Sequence, residues 1–244
     1  MDEVKRFTEE VTANIKSLGQ DRDLQALSRI WVREIARHRY AYNFTWMGRP
    51  LIQFPQDMVA MQEIIWATRP EVIVETGVAH GGSLIYYASL LELLGGGGHV
   101  VGVDVDIRSH NRREIESHPM AHRIHLVEGS SIESKTVEQV RNLVAGRRAM
   151  VVLDSNHTHA HVLSELDLYS PMVSRDCYLV VFDTLIEDMP AHLVGDRPWA
   201  PGNNPKTAVW EFLQRNDRFE IDQIIEHKLL ITVAPDGWLK CVKD

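Results

Sequence analysis

Apolar positions recur first with a helical period and later in short unbroken runs. In residues 21–40, Leu24, Leu27, Trp31 and Ile35 share one helical face, and residues 4–18 repeat the amphipathic spacing, with Gly19 between the two. The pattern predicts two helices ahead of the first strand, a helical cap over residues 1–45 or an oligomer contact. "FTWMGRPLIQFP" shows no period and reads as irregular. "QDMVAMQEIIWATRP" reads as a helix with Met58, Met61 and Ile65 on one face and Pro70 as its stop.

From residue 71 the rhythm changes. Strands are predicted at "EVIVET" (71–76), "HVVGVDV" (99–105), "RIHLV" (123–127), "AMVVLD" (149–154) and "YLVVFD" (178–183), with helices near 82–94, 108–117, 134–145 and 158–170 between them. Continuous Val/Ile/Leu runs suit strands covered on both faces, and their alternation with helices means a parallel, doubly wound sheet. "FEIDQIIEHKLLITVAPDGWLKCV" then reads as two or three successive strands, with turn chemistry at "APDG". Strands without a crossover helix must pair antiparallel. The expectation is an α/β fold: a doubly wound, mostly parallel, seven-stranded Rossmann-like sheet of the class I methyltransferase kind. An antiparallel hairpin closes it, and residues 46–244 form one domain.

Ligands of such sheets bind beyond the carboxyl ends of the strands, so those ends carry the candidate chemistry. "ETGVAHGGS" (75–83) turns from the first strand into a helix. Gly77 can take a positive φ and lets backbone approach a ligand, while Gly81, Gly82 and Ser83 open a helix whose free N–H groups favour an anion. The spacing is not the G-x-G-x-x-G of a dinucleotide site. It is E-x-G-x-x-x-G, with Glu75 before the turn and Thr76 and Val78 flanking Gly77, a spacing carried by methyltransferases that use S-adenosylmethionine. "GVDVD" ends the second strand, where a carboxylate, Asp104 in preference to Asp106, can accept from both ribose hydroxyls. "VEGSS" ends the third, placing Ser131, with Ser130 beside it, at an adenine edge.

Asp154 and Asp183 end the fourth and fifth strands, neighbours about 4.8 Å apart in such a sheet. Their like charges repel unless one is protonated or a cation lies between them, which points to a hard divalent ion, Mg²⁺. "HTHAH" follows Asp154. If the helix begins directly after Asp154, His157 and His161 share a face and His159 points to solvent. His157 can then reach a substrate hydroxyl and act as its base, or it can simply hydrogen-bond a strand end. His161 is expected to be structural. A metal-dependent hydrolase using His157, His159 and His161 together would leave the glycine turn and "GVDVD" unexplained. Asn204 and Pro205 read as the N-cap and first residue of a helix, inside a Pro/Trp/Asn-rich segment (187–212) suited to a substrate lid.

Composition narrows the partners. The chain has 244 residues, 44% apolar and 25% charged, with a net charge of −8. It carries no Lys/Arg cluster for a nucleic-acid backbone. No apolar stretch has the length of a membrane span, and the charged start does not read as a signal peptide. Cys177 and Cys241 form no recognisable disulfide framework, so a reducing cytoplasm is expected.

Several blocks in order resemble one family: "WMGRPLIQFPQDM", "VETGVAHGGSLIYYASLL", "VVGVDVDIR", "VVLDSNHTHAHVLSELDLYSPMV", "YLVVFDT" and "APDGWLKCV". They are similar to the cephalosporin hydroxylase / rhamnosyl O-methyltransferase family, over about Trp46 to Val242. The resemblance implies Mg²⁺-dependent transfer of a methyl group from S-adenosylmethionine to a hydroxyl of a deoxysugar, glycosylated natural product, nucleotide sugar or antibiotic scaffold, by a homo-oligomer. More distant catechol-type methyltransferases imply Asp154 as metal and cofactor contact, the His157 position as base, and Asp183 with Thr184 at the second metal corner. Phe182, beside Asp183, offers an ion nothing, which leaves room for waters. The competing class is an accessory subunit that keeps the cofactor pocket without methyl transfer, for example one assisting a hydroxylation.

Overall fold

The computed structural model describes residues 2–244. Helices α1 (Glu3–Gln20) and α2 (Arg22–Ala36) open the chain, with Asp2 and Asp21 as N-caps accepting from Val4 N and Leu24 N. Helix α2 stops short of the expected residue 40. The backbone turns left-handed at Arg39, and Tyr40–Asn43 make a 3₁₀ turn. The segment read as irregular contains a hairpin, β1 (Phe44–Trp46) and β2 (Arg49–Leu51). Met47 and Gly48 both have positive φ at its tip, as a primed two-residue turn requires. Helix α3 (Pro55–Thr68) follows, with proline at its first position.

The sheet then builds in alternation: β3 (Val72–Thr76), α4 (Gly82–Leu94), β4 (His99–Asp104), α5 (Ser109–Glu116), β5 (Ile124–Glu128), α6 (Ser134–Val144), β6 (Ala149–Leu153), α7 (His159–Tyr169) and β7 (Tyr178–Val181). After it come α8 (Ala191–Val194), α9 (Pro205–Arg215), β8 (Phe219–Ile221), α10 (Gln223–Leu229) and β9 (Trp238–Cys241). Seven strands lie in the order β5-β4-β3-β6-β7-β9-β8. The first five are parallel, while β9 runs antiparallel to both β7 and β8. This is the seven-stranded class I methyltransferase sheet that the strand pattern predicts.

One part of the C-terminal reading needs correction. "QIIEHKL" is helix α10, not a strand, and Asp222 caps it by accepting from Ile224 N. The antiparallel pair β8–β9 is therefore joined through a helix instead of a tight turn.

Strands β3 and β6 are buried along their whole length, and Val72, Ile73, Val74, Val151 and Val152 are fully enclosed. The chain runs outward from β3 to β4 and β5, then returns to β6 and β7 on the other side of β3. That reversal opens a crevice at the carboxyl ends of β3 and β6. Helix α1 has no buried residue; it meets α10 at Gly19, where a Cβ would sit 2.3 Å from the His227 ring. Phe7, Leu27 and Trp31 of the first two helices remain exposed. Among the described residues no helix is long and apolar enough to cross a membrane. Cys177 and Cys241 are free thiols, both buried.

Candidate functional site

The crevice is a cavity of about 650 Å³, within the range of small-molecule sites. A larger groove of about 920 Å³ lies along the outer edge of β5, but it is open to solvent and gathers no cluster of catalytic groups. The cavity at the switch point collects most of the residues marked by the sequence: Gly77, Ser83, Asp104, Ser130, Ser131, Asp154, His157 and Asp183 all line it.

The glycine turn forms its floor. Gly77 has φ 95°, and a Cβ there would lie 2.1 Å from the Asp154 carbonyl oxygen, so the loops after β3 and β6 touch only because this residue is glycine. Asp104 accepts from Val78 N at 2.8 Å and Ala79 N at 3.3 Å through Oδ2, and from Asp106 N through Oδ1. It thus holds the turn in shape while facing the cavity. Two residues that sequence reasoning missed brace the same turn: Asn111 donates to Ala79 O at 2.8 Å, and Arg49 donates to His80 O at 2.7 Å.

Glu75, Thr76 and Gly81 lie behind this surface. Glu75 is fully buried and accepts from Ser83 Oγ at 2.5 Å. Burial pushes its carboxyl up to about 8, opposed by hydrogen bonds from Ser83 and Tyr87 and reinforced by Asp104. Thr76 is fully buried, and Gly81 backs onto Ile115. None of these three, expected as cofactor contacts, lines the cavity; they lie behind the turn.

The candidate metal corner comes from two loops. Asp154 follows β6, and Asp183 follows β7 in the left-handed region at φ 57°. Asp tolerates that conformation better than most residues, and local strain of this kind clusters at functional sites. Asp154, His157 and Asp183 each bring one donor atom within 4.8 Å of the others, the single such group among the described residues. Desolvation pushes the Asp154 carboxyl well above its ordinary range, and the charges of Asp183, Glu75 and Glu165 add to it. No Lys or Arg side chain lines the cavity to offset this negative charge. The donor set thus fits a divalent cation. Thr184, expected beside Asp183, is buried, does not line the cavity, and donates its hydroxyl to Pro235 O at 2.7 Å.

The three histidines have three different environments. Helix α7 starts at His159, so His157 precedes the helix and does not share a helical face with His161. His157 Nε2 stands 3.2 Å from Asp183 Oδ2, and its ring packs edge-on against Trp199, centroids 4.9 Å apart. His159 is not a solvent-pointing residue, as the pattern suggested; its ring nitrogens meet Thr207 Oγ1 at 2.8 Å and Glu211 Oε2 at 3.1 Å on α9. His161 Nε2 lies 3.0 Å from Ser131 Oγ and 3.4 Å from Ser155 Oγ, and Ser155 donates to the buried Glu165. A three-histidine cage is excluded by this separation. Ser131 remains at the wall but is held by His161, leaving Ser130 beside it.

Trp199 brings the segment after β7 to the cavity, and Tyr42, Pro50 and Gln53 bring the N-terminal side. Asn204 caps α9 by accepting from Lys206 N and Thr207 N, with Pro205 first in the helix, so both are structural.

A seven-stranded sheet with its cavity at the β3/β6 switch point and an acid at the end of β4 is the architecture of the class I methyltransferases. A family model described as Rhamnosyl O-methyltransferase/CmcI matches residues 38–242, and the chain belongs to that family. Rhamnosyl O-methyltransferase of Mycobacterium tuberculosis is 32% identical over 200 residues, covering 80% of this chain and 77% of its own. That of Mycobacterium leprae is 30% identical over 212 residues, covering 83% and 87%. Among solved structures, CmcI with Mg and S-adenosylmethionine superposes with a TM-score of 0.59 at 19% identity, over 83% of this chain and 78% of that one. An O-methyltransferase from Bacillus cereus in complex with S-adenosylhomocysteine gives 0.51 at 13% identity, over 79% and 81%.

Proposed function

We propose that the protein is an S-adenosylmethionine-dependent O-methyltransferase that requires a divalent cation, Mg²⁺, and acts on a sugar hydroxyl of the rhamnosyl type in a glycosylated small molecule. The observation that carries this reading is the meeting, in one cavity, of the glycine turn, Asp104 and the Asp154–His157–Asp183 group. Curated relatives that are named rhamnosyl O-methyltransferases support the acceptor class.

Bound in the cavity, S-adenosylmethionine supplies an electrophilic methyl group, and the divalent cation supplies positive charge that favours loss of the acceptor proton. The protein does the rest by placement. The turn at Gly77 admits the cofactor close to the backbone, and Asp104 and Ser130 offer polar contacts to its nucleoside. Asp154 and Asp183 would hold the cation. His157 would receive the acceptor proton, with the Asp183 carboxylate 3.2 Å from its Nε2 to hold the ring and face the charge it gains. Trp199 packs edge-on against the His157 ring on this side. Fixing donor and acceptor in line lowers the barrier without further chemistry from the protein.

The reading is tested by incubating the purified protein with S-adenosylmethionine labelled on its methyl group and a panel of rhamnosides, with and without chelator. Transfer to a rhamnosyl hydroxyl that chelator stops and Mg²⁺ restores is expected. Transfer that persists in metal-free chelated protein removes the cation from the mechanism. No transfer to any sugar, together with tight binding of S-adenosylhomocysteine, favours an accessory role.

A further inference from the structure

Gln53 lies between β2 and α3, 6% exposed, and lines the cavity beside Asp154. Its Nε2 stands 3.4 Å from Asp154 Oδ2, long for a hydrogen bond, and its Oε1 is buried without a partner. Leaving a buried amide oxygen unpaired costs about 1–3 kcal/mol. The amide as it stands is therefore poorly satisfied at both ends: a long contact from Nε2 to Asp154, and an Oε1 that calls for a cationic or donor partner.

The two ends of a carboxamide are nearly the same size, and the torsion that carries them is broad and roughly two-fold. A half-turn exchanges Oε1 for Nε2 and places the oxygen opposite Asp154 Oδ2. Two oxygens facing each other at that separation repel unless a cation lies between them. Mg²⁺ takes oxygen ligands at about 2.0–2.1 Å, so two of its ligands at right angles stand about 3 Å apart. The sequence neighbours of Asp183 offer no further oxygen: Phe182 is a buried ring, and Thr184 is committed to Pro235 O.

We propose that the Gln53 carboxamide oxygen is the third protein ligand, beside Asp154 and Asp183, of the divalent cation in this site. The inference rests on the metal-dependent reading of the cavity given above. A neutral amide adds an oxygen without adding charge to a corner that already holds two carboxylates. With three protein oxygens on the ion, His157 stays free to receive a proton.

The experiment is Mn²⁺ and Mg²⁺ binding to the full-length protein, by electron paramagnetic resonance of free Mn²⁺ and by calorimetry. It compares wild type with Gln53→Leu and Gln53→Glu. Gln53→Leu keeps the bulk and loses the oxygen; it is expected to weaken Mn²⁺ about 10- to 100-fold, the scale seen when groups supporting a metal are removed. Its affinity for S-adenosylhomocysteine in chelator is expected to match wild type, which shows that fold and cofactor site are intact. Gln53→Glu keeps the reach and offers only oxygens, so it is expected to bind Mn²⁺ as tightly as wild type or tighter. Two results overturn the assignment while leaving the metal itself in place: undiminished Mn²⁺ binding by Gln53→Leu, or equal loss in Gln53→Glu. The second makes the Nε2 hydrogen bond to Asp154 the working contact, because a carboxylate there only repels Asp154. If Gln53→Leu does not fold, the Gln53→Glu comparison still decides. Failure of wild type to bind either ion overturns the metal reading, and the Gln53 assignment with it.

Discussion

The His157 imidazole and the Asp183 carboxylate meet at 3.2 Å across the gap between the β6 and β7 loops, each reaching over the carboxyl end of the sheet. A base partnered in this way keeps its ring orientation fixed, and the positive charge it gains on protonation is matched. His157→Ala is expected to lower kcat by about 10²–10⁴-fold, the usual scale for losing a general base. Calorimetry with S-adenosylhomocysteine should show unchanged affinity, and metal analysis should show unchanged Mg²⁺ content. Loss of metal in step with activity would make His157 a ligand instead.

Much of this site was legible because strand ends announce themselves: Val/Ile/Leu runs stop at Thr76, Asp104, Glu128 and Asp154, and the fold rule says what lies beyond. Three features were not. Helix α10 reads as strand because the Ile224–Ile225 and Leu229–Leu230 pairs sit in an otherwise strand-like run between Phe219 and Val233. Its signals were Asp222 as an N-cap and Ile225 and Leu229 four apart, both half-buried. A shared face for His157 and His161 requires a helix that begins directly after Asp154, whereas α7 begins at His159, as the expected span 158–170 implies. The loop needed to bring Asp154 and Asp183 together takes up Ser155–Thr158 first. Gln53 carried no signal at all, since its meaning depends on a contact between segments 101 residues apart.

Asp104 joins the glycine turn to the cofactor pocket, so its substitutions should separate the two roles. Asp104→Ala removes the acceptor of Val78 N and Ala79 N along with the proposed ribose contact. S-adenosylhomocysteine affinity measured by calorimetry is expected to fall at least about tenfold, equivalent to about 1.4 kcal/mol. Asp104→Asn keeps one acceptor oxygen and should fall between wild type and alanine. Wild-type affinity in both would remove Asp104 from cofactor binding.

Buried acids give the fold a pH dependence of definite sign. Glu75 is pushed from 4.5 up to about 8 and Asp57 from 3.8 up to about 7, both chiefly by burial. Asp57 is held beneath the metal corner, accepting from Val233 N at 2.9 Å. In the pH range between the unfolded and folded values the native state holds protons that the unfolded chain has lost. Stability therefore falls as pH rises through that window. The contribution is fully present below the unfolded values and is lost as pH passes the folded ones, near 7 and 8. Melting temperature is expected to decline from pH 5 to pH 8. In Glu75→Gln that decline should be shallower, with the variant gaining on wild type most at pH 8. Parallel curves for the two proteins would mean that Glu75 is not the titrating group.

The remaining histidines should fail in different ways. His159 ties α7 to α9 through Thr207 and Glu211, and its side chain is partly exposed. His159→Ala is expected to lower stability by about 0.5–1.5 kcal/mol, the usual net worth of a hydrogen bond, and to leave kcat alone. His161 braces the cavity wall at Ser131, next to Ser130, the proposed nucleoside contact. His161→Ala should raise KM for S-adenosylmethionine more than it lowers kcat, because the acceptor-side chemistry at His157 is untouched. His161→Gln, which can still hydrogen-bond Ser131, should recover part of that loss. Steady-state kinetics and melts of the two alanine variants beside His157→Ala read these effects independently. A fall in bound metal in all three would restore the histidine cage that the geometry separates.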